Sequence, residues 1–402
     1  MTAARRALWA GRSLALVGIF LLAFNLRSAV ASLSPVLALV EADVALSAAV
    51  VGVLGMLPPV CYAVFGLVTP AIARRWGLER PLVGVLVLLA LGLAGRGVVT
   101  EATGLIAASA VAFAAMGVGN VLLPLAVKRY FPDRIGLMTT LYVTAMSIST
   151  LLPPLVAVPV AEAAGWRVEL GLWAVFAVAA LVPWAVLALR SRTTSAPGVT
   201  EPGAAQLRHA LRSPLAWALT IVFAGSSVNA YTAFAWLPRI LQETAGSSPA
   251  AAGALLSLYA AMGLVAGLVV PVIAARWNRV RLLIGVSVAS FVLGYLGLLV
   301  APATATWLWV ALIGTGPLIF PLSLVLINLR TRTHAGAVAL SGFVQSTGYL
   351  IAAAGPLALG VLRDASGSWT LPLLLLLATA LPVGVAGLVV ARPRLFEDER
   401  AG

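Results

Sequence analysis

GLVTPAIARRWGLERPLVGV, residues 66–85, returns as GLVVPVIAARWNRVRLLIGV at residues 267–286, with 12 of 20 positions identical and an offset of 201 residues. Each copy leaves an apolar run, passes through an arginine-containing turn and enters the next apolar run. The offset is half of the 402-residue chain, so one structural plan is written twice. Outward from these copies the same texture continues. Of all residues 61% are hydrophobic and 10% charged, and apolar stretches of the roughly 20 residues needed to cross a bilayer follow one another throughout. Twelve helical spans are predicted, near 13–40, 48–73, 81–99, 102–127, 137–161, 168–190, 214–242, 249–275, 281–300, 304–329, 336–362 and 370–391. The chain reads as an all-α, multi-pass membrane protein.

The net charge of +13 is explained by where the basic residues fall. They cluster before the first span and after every second one: Arg5, Arg6 and Arg12; Arg74, Arg75 and Arg80; Lys128, Arg129 and Arg134; Arg190, Arg192, Arg208 and Arg212; Arg276, Arg279 and Arg281; Arg330 and Arg332; Arg392, Arg394 and Arg400. This is the positive-inside pattern of an even number of spans in the cell membrane with both termini cytoplasmic, and it argues against a nucleic-acid partner. The N-terminus imitates a cleavable leader, with arginines, an apolar run and Ala29-Val30-Ala31. Removing it would leave an odd number of spans and break the charge alternation, so the segment is read as the first span. The single cysteine, Cys61, allows no internal disulfide.

Ser47 and Ser248-Pro249 are helix-start signals, and Trp166, Trp217, Trp307, Trp309 and Trp369 lie near span ends as interfacial anchors. The longest polar stretch, rich in Pro, Gly, Ser and Thr, divides the chain. The expected organisation is a six-helix half at 1–190, a cytoplasmic linker at 191–213 and a second six-helix half at 214–402.

The repeated turns resemble the loop motif between helices 2 and 3 of the major facilitator superfamily and its echo between helices 8 and 9. Four further segments are similar to the cyanate permease / nitroimidazole transporter family within it: FNLRSAVASLSPVL (24–37), GVGNVLLPLAVKRYFPDR (117–134), AWLPRIL (235–241) and RTRTHAGAVALSGFVQSTGYLIAAAGPLALGVLRDASGSW (330–369). The resemblance implies the major facilitator fold and rocker-switch secondary transport of a small polar or anionic solute, of the cyanate or nitro-heterocycle class. Two departures stand out. Arg74 occupies a loop position that usually carries aspartate in the superfamily. SISTLLPP (147–154) replaces the Gly-Pro signature found in the fifth helices of drug exporters.

The charged residue most out of place is Arg27. A guanidinium at the bilayer centre costs from about 3 to above 10 kcal/mol unless it meets water or a partner. On a wheel at 100° per residue, Asn25, Arg27, Ser28, Ala31, Ser32, Ser34 and Pro35 share one half of the first span, so Asn25 and Arg27 are both expected to face inward. All 13 acidic residues fall in loops or near span ends, which leaves Arg27 without a fixed carboxylate and open to an anionic or electron-rich substrate. Asn120, Asn229 and Gln345, with Tyr142, Tyr231 and Tyr349, complete the candidate substrate set. Each also has a bland reading as a helix-packing group. Prolines inside spans, among them Pro58, Pro59, Pro124, Pro153, Pro154 and Pro356, suit bending helices.

For energy coupling, protons are the candidate ion, but the residues offer little. Arg27 cannot release a proton, His209 and His334 fall in loops, and Glu162 and Glu169 read as loop carboxylates near the outer ends of their spans. No nucleophile triad, metal-ligand spacing or phosphate-cradling loop lies in the spans, so no enzyme activity, cofactor or metal is expected. The alternative within the same fold is multidrug-type efflux of amphipathic compounds, which would want a carboxylate in a large apolar cavity. The chain is expected to act as a monomer in the lipid bilayer with a small-molecule substrate.

Overall fold

The computed structural model describes residues 12–190 and 204–400. Arg5, Arg6 and Arg192 of the basic clusters, and 191–203 of the expected linker, lie outside the described residues. The twelve spans are α1 (Ser13–Asp43), α2 (Ala48–Trp76), α3 (Glu79–Arg96), α4 (Ala102–Tyr130), α5 (Ile135–Ala164), α6 (Trp166–Arg190), α7 (Pro214–Ala245), α8 (Pro249–Arg276), α9 (Val280–Val300), α10 (Thr306–Leu329), α11 (His334–Ser366) and α12 (Thr370–Val390). Eleven are long and apolar enough to cross a membrane. The remaining one, α3, has 18 residues and carries Glu79, Arg80 and Arg96 near its ends. Outward-facing apolar side chains such as Leu91, Val182 and Leu381 are exposed, as a lipid-facing surface requires.

The capping signals operate as read. The Ser47 hydroxyl accepts from Val50 N at 3.3 Å, and Ser248 accepts from Ala251 N at 3.2 Å with Pro249 in the first turn. Ser213 and Thr333 cap α7 and α11 in the same way. The duplicated sequence is also a duplicated backbone. Gly77 after α2 has φ +80°, and its counterpart Asn278 after α8 has φ +49°, the one non-glycine residue with positive φ among those described. Part of the linker, Ala204–Arg212, is a helix docked at the end of α11 and against the C-terminal tail, where His209 Nε2 meets Phe396 O at 2.7 Å.

Consecutive spans run in opposite directions, so the arginine-rich loops gather at one end of the bundle, the basic end. At the opposite end the two halves are tightly joined. A Cβ on Gly55 would stand 2.8 Å from both Ala235 Cβ and Pro356 Cβ, and one on Gly253 would stand 2.5 Å from Pro154 O. Arg239 of α7 pairs across the halves with Glu41 of α1 at 2.8 Å. Arg239 and Arg363 also pair with Glu243, at 2.8 and 2.7 Å. Toward the basic end the same helices part. Gly66 on α2, Gly263 and Gly267 on α8 and Gly342 on α11 have nothing within 4 Å of an added Cβ.

Two sequence expectations need correction. The first span is not one helix: it breaks between Asn25 and Ser28, with Arg27 at φ −135°, and narrows to a 3-10 turn at Ser34–Val36. The break resets the helical phase, so the continuous wheel that put Asn25 and Arg27 in one inward-facing half does not apply. Glu169 is not a loop carboxylate; it is 1% exposed in the first turn of α6, because Gly165 turns the chain directly into that helix.

Candidate functional site

The break in α1 sets the position of Arg27, and two side chains from other helices hold the break. Tyr62 of α2 donates its hydroxyl to Leu26 O at 3.4 Å, and Arg96 of α3 donates to Ala29 O at 3.1 Å. These bonds occupy carbonyls beside the interruption, where free backbone groups in a membrane are costly. Arg27 itself lies over the Tyr62 ring, with Cζ 5.4 Å from the centroid. Tyr231 of α7 and Tyr349 of α11 complete a ring of three tyrosines packed mutually edge to face, with centroid separations of 5.9 to 6.3 Å. Arg27 lines the same spaces as all three tyrosines. Among the described residues no carboxylate pairs with it. One half of the molecule therefore supplies Arg27 and Tyr62, and the other supplies Tyr231 and Tyr349.

This cluster forms the inner wall of a cavity of about 590 Å³ that runs between the halves toward the basic end, with a contiguous pocket of about 210 Å³ beneath α7 and α8. Arg27, Asn120, Tyr142, Gln345 and Tyr349 line the larger space, and Tyr231 lines the smaller. Asn120 donates one amide hydrogen to Met116 O at 3.0 Å, and Gln345 donates to Ser341 Oγ at 2.6 Å; their amide oxygens have no partner among the described residues. Ser147 and Thr150 of α5 and Phe320 and Pro321 of α10 border both spaces.

Two candidates lie elsewhere. Asn25 is fully buried, donates to Leu21 O at 2.8 Å and leaves its amide oxygen unpartnered inside the amino-terminal half. Asn229 is a packing group. It donates to Gly225 O and Thr379 Oγ1 and accepts from Tyr295 OH at 2.6 Å, tying α7 to α9 and α12. Sequence reasoning missed Tyr62. As the one tyrosine of its span, near Pro58 and Pro59, it carried no pattern that separated recognition from packing.

A six-plus-six bundle with a cleft between halves that is shut at one end and open at the other has counterparts among known proteins. The Major Facilitator Superfamily family model matches residues 16–356. The chain belongs to the major facilitator superfamily. It is a multi-pass membrane transporter of a small molecule and not an enzyme. It is 36% identical over 395 residues to the uncharacterized transporter YycB of Bacillus subtilis (96% of this chain, 95% of that one). It is 32% identical over 390 residues to the 2-nitroimidazole transporter of Escherichia coli (95% and 96%) and 28% identical over 360 residues to the cyanate transport protein CynX of that organism (88% and 91%). The crystal structure of the nucleoside transporter NupG superimposes with a TM-score of 0.73 at 12% identity, over 94% of this chain and 99% of that one, which shows the shared fold.

Proposed function

We propose that this secondary transporter carries a small, planar anion or a nitro-heterocycle, with Arg27 as its counter-charge and the tyrosines as its walls. The observation that carries this reading is a half-buried guanidinium, unpaired by any described carboxylate, at the closed end of a cavity between two halves. A cation in that position gains most from a ligand that brings negative charge or electron-rich oxygens, which its planar fork binds in pairs. Flat aromatic edges around it favour a flat ligand. The names of two relatives, a 2-nitroimidazole transporter and a cyanate transport protein, fit both descriptions. A carboxylate suited to organic cations is not among the described lining residues, which disfavours efflux of cationic drugs.

The halves, 1–190 and 214–402, rock as units about this site with 191–213 as their tether. The basic end faces the cytoplasm, by the positive-inside distribution of arginines, and the protein works as a monomer. Pro356, in the tight crossing of α11 with α2, sits where bending would gate the opposite end.

The test is ligand-induced stabilisation of purified protein against cyanate, nitrate, benzoate, a 2-nitroimidazole and organic cations. A specific ligand at a hundredfold excess over Kd stabilises by about 2.7 kcal/mol. Anions or the nitro compound should stabilise wild type, and Arg27→Gln should weaken that binding by about 10- to 100-fold, as loss of a charge-assisted hydrogen bond does. Equal stabilisation of both proteins, or stabilisation by cations alone, would reject the reading.

A further inference from the structure

A third and much smaller cavity, about 30 Å³, lies beside the 210 Å³ pocket; Val30, Tyr231 and Phe234 border both. It has room for a water or a compact ion, not for a large organic molecule. Its polar lining is unusual for a dry space. Arg96 is 0% exposed, and its Nε and one terminal nitrogen have no partner among the described residues. The hydroxyls of Ser34 and Ser109, which also line the cavity, are unpartnered too. Several hydrogen-bond donors thus converge on a small space beside a buried cation.

Close to Arg96 stands Glu169. The end of α3 presses on the first turns of α6, where an added Cβ on Gly97 would stand 2.6 Å from Arg167 O and 3.3 Å from Gly171 Cα; Glu169 Oε1 accepts from Trp173 Nε1 at 3.2 Å, its Oε2 is unpartnered, and no hydrogen bond joins the carboxylate to Arg96. Other charged groups are remote or occupied elsewhere. On α5, which packs against this part of α6, Glu162 is exposed. On α6 itself Arg167 reaches solvent and pairs with Asp43 at 2.7 Å. The middle segment of α1, Ser28–Ser32, brings no titratable side chain.

From this arrangement we infer that the Arg96 cavity is a second anion site, in which a compact monovalent anion binds to Arg96, Ser34 and Ser109 together with a proton on Glu169. The balance of charge dictates the link. One buried guanidinium is neutralised either by the Glu169 carboxylate or by an incoming anion; two anions on one cation in a low-dielectric setting repel strongly. Anion entry is therefore accompanied by transfer of one proton from hydronium or buffer acid to Glu169: the donor's bond to that hydrogen breaks, an O–H bond forms on the carboxylate, and no other bond changes. The cavity is walled by α1, α2 and α7 where the two halves meet at the tight end, so opening that end widens it. An anion entering there meets Arg96 before Arg27. Because Arg96 also holds Ala29 O, two residues beyond Arg27, occupancy of the cavity is felt at the break in α1. The inference rests on the proposal that the solute is anionic.

The test is calorimetric titration of the full-length protein in detergent with nitrate, in buffers of different ionisation enthalpy, from about pH 5.5 to 8.5. On the alkaline side of this window wild type should take up about one proton per nitrate at this site, its affinity falling about tenfold per pH unit there. Glu169→Gln should bind nitrate with affinity independent of pH and take up no proton. Arg96→Gln should lose the proton-linked event, while Arg27→Gln should keep it. If Glu169→Gln fails to fold, the double variant Arg96→Gln with Glu169→Gln removes both charges and should fold without binding nitrate here. Proton uptake that persists in Glu169→Gln or in the double variant, or nitrate binding to wild type with no proton uptake anywhere in this window, would overturn this inference alone. Failure of every anion of the panel to bind wild type would overturn the anionic reading as well.

Discussion

The two ends of the cleft are built from the same helices and differ in what their glycines touch. On α2, an added Cβ at Gly55 would collide with Ala235 and Pro356, whereas at Gly66, about three turns further along, it would meet nothing. On α8, Gly253 presses on Pro154 while Gly263 and Gly267 stand clear. Small residues let helix backbones approach closely where the halves meet, and the same residues at the basic end are available to do so when that end shuts. The internal repeat places matching glycines at both 66 and 267, so each half can contribute to that second closure. Closure at either end therefore depends on backbone proximity more than on ion pairs.

The sharpest way to break this comparison is to add bulk at one end at a time. Gly55→Leu should prevent closure of the tight end, and Gly66→Leu should prevent closure of the basic end. Overpacking of about 1–3 kcal/mol corresponds to a shift on the order of 10- to 100-fold in the population of the closed form. Both variants should stop transport in vesicles while thiol-labelling probes report opposite trapped states. If both trap the same state, the two ends do not alternate.

A smaller effect is expected from the ion pair that crosses the halves. Glu41→Gln removes the partner that Arg239 finds in the other half and leaves the Arg239–Glu243 pair in place. Both side chains are partly exposed, so the loss is about 0–1 kcal/mol, and opening of the tight end should rise by no more than about fivefold in hydrogen exchange of nearby amides. A change of about a hundredfold, nearly 3 kcal/mol, would show that the pair, and not glycine packing, holds this end.

The smallest effect concerns the basic end. Glu397 accepts from the backbone N–H groups of Arg332 and Thr333 and from the Thr333 hydroxyl, at the start of α11. Partial burial works against the charged form, but these donors outweigh it and hold the carboxyl below its ordinary value. A depressed carboxyl stabilises the fold above its unfolded value of about 4.3 and loses that contribution as pH falls through the lower folded value. Glu397→Gln should therefore lower the thermal midpoint slightly near neutral pH and leave it unchanged well below about pH 4. An equal loss at both pH values would assign the effect to packing.

Much of the fold was legible because it rests on periodicity and repetition: the duplicated turn, the serine caps and the alternating basic clusters all precede contact between helices. The inner wall was legible in part. Arg27 announced itself as a charge in an oily run, and Asn120, Gln345 and the tyrosines 142, 231 and 349 lie where polar faces of spans converge. Asn25 was misplaced because a wheel assumes an unbroken helix, and nothing in FNLRSAV besides its own polarity marks the break. Glu169 was misread because sequence distance from a span end does not report burial; the turn at Gly165 and the packing of α6 on α3 do. Arg96 lies at the end of a span with no periodic neighbour to mark it, and its significance depends on contacts with α1 and α6 that only the tertiary structure supplies.

If an anion at Arg27 drives the exchange between the two ends, both ends must answer to it together. Spin labels at Ala45 and Asp364, across the tight end, and at Arg75 and Arg276, across the basic end, would measure both in a Cys61→Ser background. Addition of the stabilising anion should lengthen the first distance and shorten the second in the same fraction of molecules, and Arg27→Gln should abolish both shifts. Shifts that occur independently at the two ends, or that survive in Arg27→Gln, would contradict the account.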